Sequence, residues 1–356
     1  MTDSNRLIDE KKLKLAQLAV FRVKEGELLA LMLTLGRTLG LFDVLAKADS
    51  ATASEVAQAT DTHERWVTEW LYSVTAAGLV AKDGDRFSMT NEMRIVLGDT
   101  EHPAFTGGIF TGPPLPDTID RLTEAFRTGV GFGWNDHGAG VAAMQRAMGT
   151  NNKRAHLVDE VLSSMPGLVQ KLTDGVRVVD VGCGAGDLAL AMAQAFPASS
   201  VLGLDPSEHA IAIAEDLAAS SGLDNIGFRI GTFDDLEAQG AEVITTFDVL
   251  HDLPFPAEAA AAAKSGLTSD GDWIVADIKA GANFEENAKI PTRSLFYSMS
   301  VMYCMNSAMS EPGGAGLGTL GLSEDKLREL ADHAGFSAVH GFDFDFDVNN
   351  RYYHVT

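Results

Sequence analysis

The fold is decided by the stretch VVDVGCGAGD, residues 178–187. Its first four residues predict a buried strand, its glycines predict a tight turn, and the alanine-rich residues that follow predict a helix. Glycines at such a turn let a ligand approach the backbone closely, and a helix N-terminus offers free N–H groups. The stretch therefore predicts a ligand site at the end of a strand, although a plain tight turn would use the same residues.

A second acidic position follows the glycine turn. The next apolar run, VLGLD, ends at Asp205, about 20 residues after the turn. That is the spacing at which a carboxylate meets ribose hydroxyls, so a nucleotide-like cofactor is favoured. Dinucleotide enzymes prefer GxGxxG on a strand near the start of the chain, whereas this chain has GCGAGD after more than 170 other residues. A nicotinamide dehydrogenase is a rival enzyme class, but this difference in motif and position makes it the less favoured one.

Strand-like and helix-like segments alternate over residues 171–356. The strand-like segments are VRVVDVG, VLGLD, IGFRIG, EVITTFDVL and DWIVADI, and the helix-like segments are ALAMAQAF, AIAIAEDLAAS, AEAAAAAKSGL and SEDKLRELADHAGF. This order predicts an α/β fold, a Rossmann-like doubly wound sheet with a parallel core. The last segments, GFDFDFD and RYYHVT, predict an antiparallel pair of edge strands.

Residues 1–100 predict a separate, mostly helical domain. Apolar residues recur at helical spacing over 8–46, which predicts one or two packed helices, with residues 28–35 buried. So long an apolar stretch is hard to bury inside one small domain, so we expect it to pair two chains into a homodimer.

The second half of this domain predicts a winged helix. Thr52 or Ser54 is placed to cap one short helix, and Asp61 or Thr62 is placed to cap the next. Asp83-Gly84 then predicts a hairpin turn between two short strands. Helix, turn, helix and hairpin together make a winged helix, here expected to serve dimerisation or to cover a site.

Residues 101–170 predict a helical linker and lid. The segments HPAFTGGIFTGPPLPDT and TGVGFGWNDHGAG are rich in Gly, Pro, Phe and Trp, and they flank a helix through residues 117–127. Loops of this composition lie on the surface and often carry function.

Composition excludes several classes of partner. The chain has 356 residues with 27 Lys and Arg against 50 Asp and Glu, a net charge of −23, which repels nucleic-acid phosphates. The N-terminus has charges where a signal peptide needs an apolar core, and residues 28–35 are too few to span a bilayer. Two cysteines suit a reducing compartment and form no metal cluster by themselves. We therefore expect a cytoplasmic protein with no nucleic acid, no membrane and no metal.

Taken together, these motifs resemble class I S-adenosylmethionine-dependent methyltransferases. The resemblance rests on residues 180–187, Asp205, the segment IGTFDDL and the segment FDVLHDLP. A winged helix placed before such a domain is similar to small-molecule O-methyltransferases. The resemblance covers nearly the whole chain, and it implies S-adenosyl-L-methionine as cofactor and a small molecule as methyl acceptor.

The resemblance also implies which residues would hold the cofactor. Asp180 and the backbone of the glycine turn would hold the methionine end, and Asp205 would hold the ribose. The family usually has Asp where Thr232 stands, so the contact with the adenine amino group could pass to Asp234. The full set of expected cofactor residues is Asp180, Gly182, Gly184, Gly186, Asp205, Thr232, Phe233 and Phe247.

His251 is the candidate catalytic residue. It stands in the pair His251-Asp252 after a predicted strand, and open α/β sheets bind their ligands at that edge. In winged-helix O-methyltransferases the matching histidine acts as general base, and an imidazole can take a hydroxyl proton during methyl transfer. A structural role for this histidine stays open.

The acceptor pocket is expected to draw on the lid and on the insert after DWIVADI. His137 lies in the lid, Arg293 could meet an anionic acceptor, and Tyr297 and Tyr303 lie in a Met-rich and aromatic stripe. The same stripe could equally be core.

The expected reaction is in-line attack of an acceptor oxygen or sulfur on a sulfonium methyl group. If the acceptor is a thioether acid, such as a precursor of dimethylsulfoniopropionate, no base is needed, and this S-methyltransferase is the named alternative. A winged-helix regulator that senses S-adenosylmethionine is a further rival.

Overall fold

A computed structural model of the chain describes residues 8–112, 114–148, 150–238 and 240–356, without the side chain of Thr150. The first residues of the expected charged N-terminus, 1–7, lie outside this range. The chain divides into two compact units, Met1–Thr111 and Gly112–Thr356. The boundary after Thr111 falls inside the segment 101–170, which was predicted as a linker and lid.

The N-terminal unit is a winged helix preceded by a long helix. Its elements are α1 Glu10–Thr38, α2 Leu41–Lys47, β1 Ala51–Thr52, α3 Ala53–Ala59, α4 Glu64–Ala76, β2 Ala81–Asp83, β3 Arg86–Ser88 and α5 Asn91–Gly98. The three strands form one antiparallel sheet in the order β1-β3-β2. The predicted hairpin is confirmed, with Gly84 at a φ of +57° in the turn.

Of the two helix caps predicted in this unit, the cap of α3 is confirmed and the cap of α4 is not. Thr52 caps α3, accepting from the N–H of Glu55, whose carboxylate accepts from the N–H of Thr52. The cap of α4 is His63, whose Nδ1 accepts from the N–H of Arg65. The prediction of Asp61 or Thr62 was wrong because α4 begins at Glu64, which makes His63 the residue directly before the helix.

Helix α1 leaves most of its apolar surface exposed. Of its apolar and glycine positions in the described chain, Leu33 and Gly36 are buried, whereas Phe21 is 73% and Val23 76% exposed. The expectation that residues 28–35 are buried was wrong, since Leu28 and Leu35 are also exposed. Burial is partial because α1 meets the rest of the unit only near its C-terminal end.

Within the part of the chain that the structure describes, no single helix is long and apolar enough to cross a membrane. Only the pair α1 and α2, bent by 71° at its junction, satisfies the length and composition conditions.

The C-terminal unit contains the α/β domain, preceded by short helices. Its helices are α6 Thr118–Thr128, α7 Gly138–Ala147, α8 Thr150–His156, α9 Leu168–Asp174, α10 Asp187–Ala195, α11 Glu208–Ser221, α12 Pro256–Gly266, α13 Phe284–Asn287, α14 Arg293–Met299, α15 Met305–Ala308 and α16 Glu324–Ala334. Its strands are β4 Arg177–Val181, β5 Ser200–Asp205, β6 Ile226–Ile230, β7 Ala241–Phe247, β8 Leu267–Ile278, β9 Val339–Phe344 and β10 Asp347–Val355. Single π-helical turns, Leu157–Val161 and Ser300–Cys304, follow α8 and α14.

The seven strands form one sheet in the order β6-β5-β4-β7-β8-β10-β9. Strands β4 to β8 pair in parallel, which confirms the Rossmann-like prediction, and β10 runs antiparallel to both of its neighbours. The two last strands were predicted as an edge pair, but of these two only β9 lies at an edge of the sheet. Strand β10 lies inside the sheet because its residues 350–355 pair with β8.

Apolar clusters cover both faces of the sheet. One cluster packs α12 and α16 against it through residues such as Ala260, Trp273 and Leu327. The other packs α9 and α10 against it through residues such as Leu172 and Met192. With both faces buried, the carboxyl ends of the parallel strands are where a ligand can reach the sheet.

Candidate active site

A cavity of about 490 Å³ lies at the carboxyl ends of β4, β5, β6 and β7. Its size is that of a small-molecule site, and its place is where open α/β sheets bind ligands. The residues that line it on the sheet side include Asp180, Gly182, Cys183, Gly184, Asp205, Ser207, Thr232, Phe233, Phe247 and Asp248. Those that line it from the other elements include Trp134, Arg146, Lys153, Asp252, Pro254, Ser307, Ser310 and Glu311.

Asp180 presents a buried carboxyl group at the end of β4. Its Oδ1 accepts a hydrogen bond of 2.6 Å from Oγ1 of Thr245, and the residue is 1% exposed. Burial raises the pKa of Asp180 to about 7, with the charge of Asp205 adding to the shift. A cationic ligand group placed beside it would favour the ionised form.

Two glycines of the turn bond to the neighbouring strand, and one of them leaves space for a ligand. The N–H of Gly182 donates to the carbonyl of Leu204 at 2.7 Å, and the N–H of Gly184 donates to Oδ2 of Asp205 at 2.9 Å. At Gly184 a Cβ would meet nothing within 4 Å, so this position borders open cavity. The N–H groups of Gly182 and Gly184 are therefore bonded to the end of β5.

Gly186 was also expected at the ligand, and the structure corrects this. It does not line the cavity, and a Cβ there would stand 2.5 Å from the ring of Phe228. Its φ of +83° marks a left-handed residue at the start of α10. Gly186 therefore allows the helix to pack against β6.

Asp205 is held in a fixed orientation. Oδ1 accepts from the N–H of Ser207 at 2.8 Å, and Oδ2 accepts from the N–H of Gly184. Burial raises the pKa of Asp205, and these two hydrogen bonds oppose that effect. The carboxylate lines the cavity with capacity for further donors.

The other expected cofactor residues also border the cavity. Thr232, Phe233 and Phe247 all line it. The hydroxyl of Thr232 accepts from the N–H of Asp234 and so caps a short 3-10 turn. Asp234, the alternative contact, is not among the residues that line the cavity.

His251 lies behind the cavity wall. It is 3% exposed, and among the described residues it is not one that lines the cavity. Its Nδ1 lies 2.6 Å from Oδ1 of Asp277, and its Nε2 lies 3.1 Å from Oδ1 of Asp252. Burial opposes a charge on the ring, but the carboxylates of Asp252 and Asp277 outweigh it and raise the pKa of His251 well above its ordinary value.

Asp252 is the member of the pair that reaches the cavity. Its Oδ2 accepts a hydrogen bond of 2.9 Å from Nε1 of Trp134, which lines the same cavity. Its Oδ1 is buried and faces Nε2 of His251 at 3.1 Å. Burial raises the pKa of Asp252 to about 6, against the opposing charge of His251.

The donor atoms of His251, Asp252 and Cys304 lie within 4.8 Å of one another. These groups already interact, because the thiol of Cys304 stands beside both partners and the imidazole pairs with Asp277. Burial raises the pKa of Cys304 to about 11, so it is a thiol and not a thiolate at neutral pH. The arrangement is that of a hydrogen-bonded network.

Trp134 links the cavity to an aromatic cluster. Its ring stacks on Tyr303 at a centroid distance of 6.3 Å and lies 5.3 Å from the ring of His137. His137 is buried and its Nε2 has no hydrogen-bond partner. Burial, with Arg121 adding, lowers the pKa of His137 to about 4, so its ring is neutral at neutral pH.

None of the four expected acceptor residues lines the cavity in the described part of the chain. His137 and Tyr303 stand one layer behind it, in contact with Trp134. Tyr297 packs on Phe284 at 5.9 Å, and Arg293 is exposed with a hydrogen bond to the carbonyl of Ile290. Direct contact between these four and an acceptor is therefore not supported by the geometry.

Two cations line the cavity that the sequence did not single out. Nε of Arg146 lies 3.1 Å from Oδ2 of Asp187, and Nζ of Lys153 is hydrogen-bonded to Oδ2 of Asp248. Asp248 has a φ of +59°, a left-handed conformation rare outside glycine. Asp248 directly follows the strand that ends at Phe247, and that position was the available signal.

Two protein-family profiles match separate stretches of the chain. A family profile described as "Methyltransferase domain" matches residues 172–335. A second profile, described as "Rv2258c-like winged HTH domain", matches residues 27–97.

Curated relatives cover part of the α/β domain. The chain is 35% identical over 104 residues to a ubiquinone biosynthesis O-methyltransferase of Leptothrix cholodnii, covering 28% of this chain and 43% of the relative. It is 30% identical over 164 residues to the protein of the same description in Chromobacterium violaceum, covering 45% of this chain and 64% of the relative. The chain thus spans less than two thirds of the length of these relatives.

Solved structures extend the similarity in fold to nearly the full length. The mitomycin 7-O-methyltransferase superposes with a TM-score of 0.68 at 18% identity, covering 98% of this chain and 99% of that one. Human N-acetylserotonin methyltransferase, in complex with S-adenosylmethionine, has a TM-score of 0.68 at 16% identity, covering 100% and 99%. An O-methyltransferase of neocarzinostatin biosynthesis, with S-adenosylmethionine and 2-hydroxy-5-methyl naphthoic acid bound, has a TM-score of 0.57 at 22% identity, covering 92% and 95%.

Proposed function

The chain carries a class I methyltransferase domain behind an N-terminal winged-helix domain, and from this premise we propose that it transfers a methyl group from S-adenosyl-L-methionine to an oxygen atom of a small molecule. The observation that carries the proposal is the cavity at the ends of β4 to β7. Asp180, Gly184, Asp205 and Phe247 line it together, although they come from three different strands and a turn.

The cavity fits the cofactor at each of its parts. The amino group of the methionine end would be a cation, and burial raises the pKa of Asp180 to about 7, so a cation beside this carboxyl group would favour its charged form. Gly184 keeps the backbone clear beside it. Asp205 is oriented by two N–H groups, with lone pairs left for ribose hydroxyls. Phe233 and Thr232 border the place expected for the adenine.

When bound, S-adenosylmethionine supplies an activated methyl group on a sulfonium. The residues of this chain then have to bind it, orient the acceptor and keep water out. Holding two reactants at near-attack distance is worth several kcal/mol of the barrier. Trp134, Leu253 and Pro254 present apolar surface to the cavity and serve water exclusion.

We further propose that the protein is a homodimer formed through α1. Phe21 and Val23 are about three quarters exposed on this helix, and a second copy would cover them. The cysteines, Cys183 and Cys304, are free thiols, which supports a cytoplasmic location. The net charge of −23 supports a small-molecule partner over nucleic acid or an anionic membrane surface.

The test is binding of S-adenosylhomocysteine, the product form of the cofactor. We expect it to raise the thermal midpoint of the full chain, because a ligand that binds only the native state stabilises it by mass action. Asp205→Ala should lose most of the rise, whereas the control Asp234→Ala, outside the cavity, should keep it. A rise of equal size in both variants would contradict the ribose assignment. NAD in place of S-adenosylhomocysteine is expected to give no rise.

A further inference from the structure

We infer that the methyl acceptor is an aromatic hydroxyl compound that also carries an ammonium group, and that Glu311 binds this ammonium group. The inference rests on the proposed function, because it names the class of acceptor that the same cavity would take. Glu311 lies in the segment that follows α15, outside the residues expected to hold the cofactor. Its role would be to determine which acceptors bind.

Among the described residues, Glu311 is the lining carboxylate that has no partner in the protein. The acidic residues that line the cavity are Asp180, Asp187, Asp205, Asp248, Asp252 and Glu311. Each of these aspartates contacts a hydroxyl, N–H, imidazole or cationic group of the protein. In the same part of the chain the carboxylate of Glu311 makes neither an ion pair nor a hydrogen bond, and its side chain is exposed. A donor that arrives with a ligand can therefore bind at this position.

The other charges at the cavity do not compensate that of Glu311. The lining cations Arg146 and Lys153 already have acidic partners, Asp187 and Asp248. The cofactor brings a sulfonium, an ammonium and a carboxylate group, and its ammonium group is expected at the end of β4. An acceptor with an ammonium group would complement the charge of Glu311, whereas an acceptor with a carboxylate group would be repelled.

The segment that carries Glu311 is anchored on both sides. The carbonyl of Met309 accepts a hydrogen bond of 2.8 Å from the N–H of Gly131, and the N–H of Ala315 donates one of 2.8 Å to the carbonyl of Pro254. Pro254 itself lines the cavity. Because the backbone around Glu311 is held before a ligand binds, only the side chain has to be ordered when an acceptor arrives, which lowers the cost of binding.

Trp134 provides an aromatic surface for the body of the acceptor. Its only polar side-chain atom, Nε1, donates to Oδ2 of Asp252 at 2.9 Å, and Tyr303 stacks on the ring at a centroid distance of 6.3 Å. The ring surface that borders the cavity is therefore apolar, and Leu253 adds further apolar lining. Aromatic rings stack on tryptophan, and an ammonium group is attracted to the face of its ring. An aromatic acceptor with an ammonium group thus fits between Trp134 and Glu311.

The role of Glu311 is binding alone. The ammonium group of the acceptor keeps its protons during methyl transfer, and Glu311 keeps its charge. Substitution of Glu311 should therefore change the affinity for charged acceptors and leave the affinity for the cofactor nearly unaltered.

The test compares three phenols of similar skeleton that differ in charge. Tyramine carries an ammonium group, 4-ethylphenol carries no charge, and 3-(4-hydroxyphenyl)propionate carries a carboxylate group. Their dissociation constants would be measured by ligand-observed NMR on the full-length chain saturated with S-adenosylhomocysteine. Because that ligand would fill the positions at Asp180 and Asp205, tyramine could not bind in place of the cofactor amine.

The same titrations on variants separate Glu311 from the overall charge of the chain. The variants are Glu311→Gln, Glu311→Lys and the exposed control Asp216→Asn, which removes one negative charge as Glu311→Gln does. Asp216 lies on α11 and is not among the residues that line the cavity. All three variants should bind S-adenosylhomocysteine within about twofold of the native affinity.

We expect the native chain and Asp216→Asn to bind tyramine about tenfold more tightly than either of the other phenols, since a hydrogen bond between charged groups is stronger than a neutral one. Glu311→Gln should bind tyramine and 4-ethylphenol equally, and Glu311→Lys should prefer the propionate. A native chain that shows no preference for tyramine, or that binds none of the three phenols, overturns the inference. A preference for tyramine that survives in Glu311→Gln overturns it as well. If the native chain does not bind S-adenosylhomocysteine, the proposed function itself fails.

Discussion

Asp180 gives the site a titratable group whose ionisation should also govern stability. Its pKa in the folded chain is about 7, against an ordinary 3.8, because the carboxyl group is buried. An acidic group whose pKa is raised by folding does not lower the free energy of unfolding at a pH below its unfolded pKa. As the pH rises from that value towards the folded pKa, the group lowers the free energy of unfolding progressively. The unliganded protein should therefore lose stability between about pH 4 and pH 7 through this residue.

We predict that Asp180→Asn raises the thermal midpoint of the unliganded chain at pH 8 and leaves it nearly unchanged at pH 4. The amide keeps the hydrogen bond from Thr245 but carries no charge to desolvate. The same variant should bind S-adenosylhomocysteine at least about tenfold less tightly at pH 8, since the amine loses its counter-charge. Calorimetric scans at the two pH values, with Asp216→Asn as control, check both effects. A midpoint lower than that of the native chain at pH 8 would disprove the assignment.

At the scale of elements, the turn between β4 and α10 uses two glycines for different purposes. Gly184 has a φ of +54° and borders open cavity, whereas Gly186 has a φ of +83° and packs against Phe228 and Ala214. An alanine in the left-handed region costs about 1–2 kcal/mol whatever its surroundings. Beyond this backbone cost, substitution of Gly184 should weaken ligand binding, whereas substitution of Gly186 should lower stability further.

Gly184→Ala should lower the affinity for S-adenosylhomocysteine by about tenfold or more, because its methyl group enters the ligand space, with a stability loss near the backbone cost alone. Gly186→Ala should lower the thermal midpoint much further, since its Cβ would stand 2.5 Å from a ring atom of Phe228. Its folded fraction should bind S-adenosylhomocysteine almost normally. Thermal scans and calorimetry on both variants distinguish these outcomes, and the reverse ranking of affinities would contradict the assignment.

At the scale of the whole molecule, the apolar surface of α1 sets the expected oligomeric state. We predict that the full-length chain is a dimer at micromolar concentration and that the double variant Phe21→Asp, Val23→Asp is a monomer. Each substitution would bury a charge in the proposed interface. Lys14→Glu, on the same exposed helix, changes charge without removing an apolar contact and should stay dimeric. Light scattering after size exclusion measures all three, and a monomeric native chain would refute the proposal.

Most of the fold could be predicted from residues that lie close together in the chain. The glycine turn at 182–186 follows from local backbone demands, and the alternation after residue 171 follows from apolar periodicity. The place of β10 inside the sheet could not be predicted this way, since it depends on pairing with β8 more than 70 residues earlier. His63 was missed as the N-cap because α4 begins one residue later than a helix capped by Thr62 would begin.

The motifs in the sequence by themselves identified the strand ends that border the cavity on the side proposed for the cofactor. Only the tertiary structure decided which of two adjacent residues, His251 or Asp252, reaches the cavity. That choice depends on partners far away in the chain, Asp277 on one side and Trp134, 118 residues away, on the other. The same distant contacts bury these groups and set their pKa values. Periodicity and spacing report on neighbours within a few residues, so they carry no information about such partners.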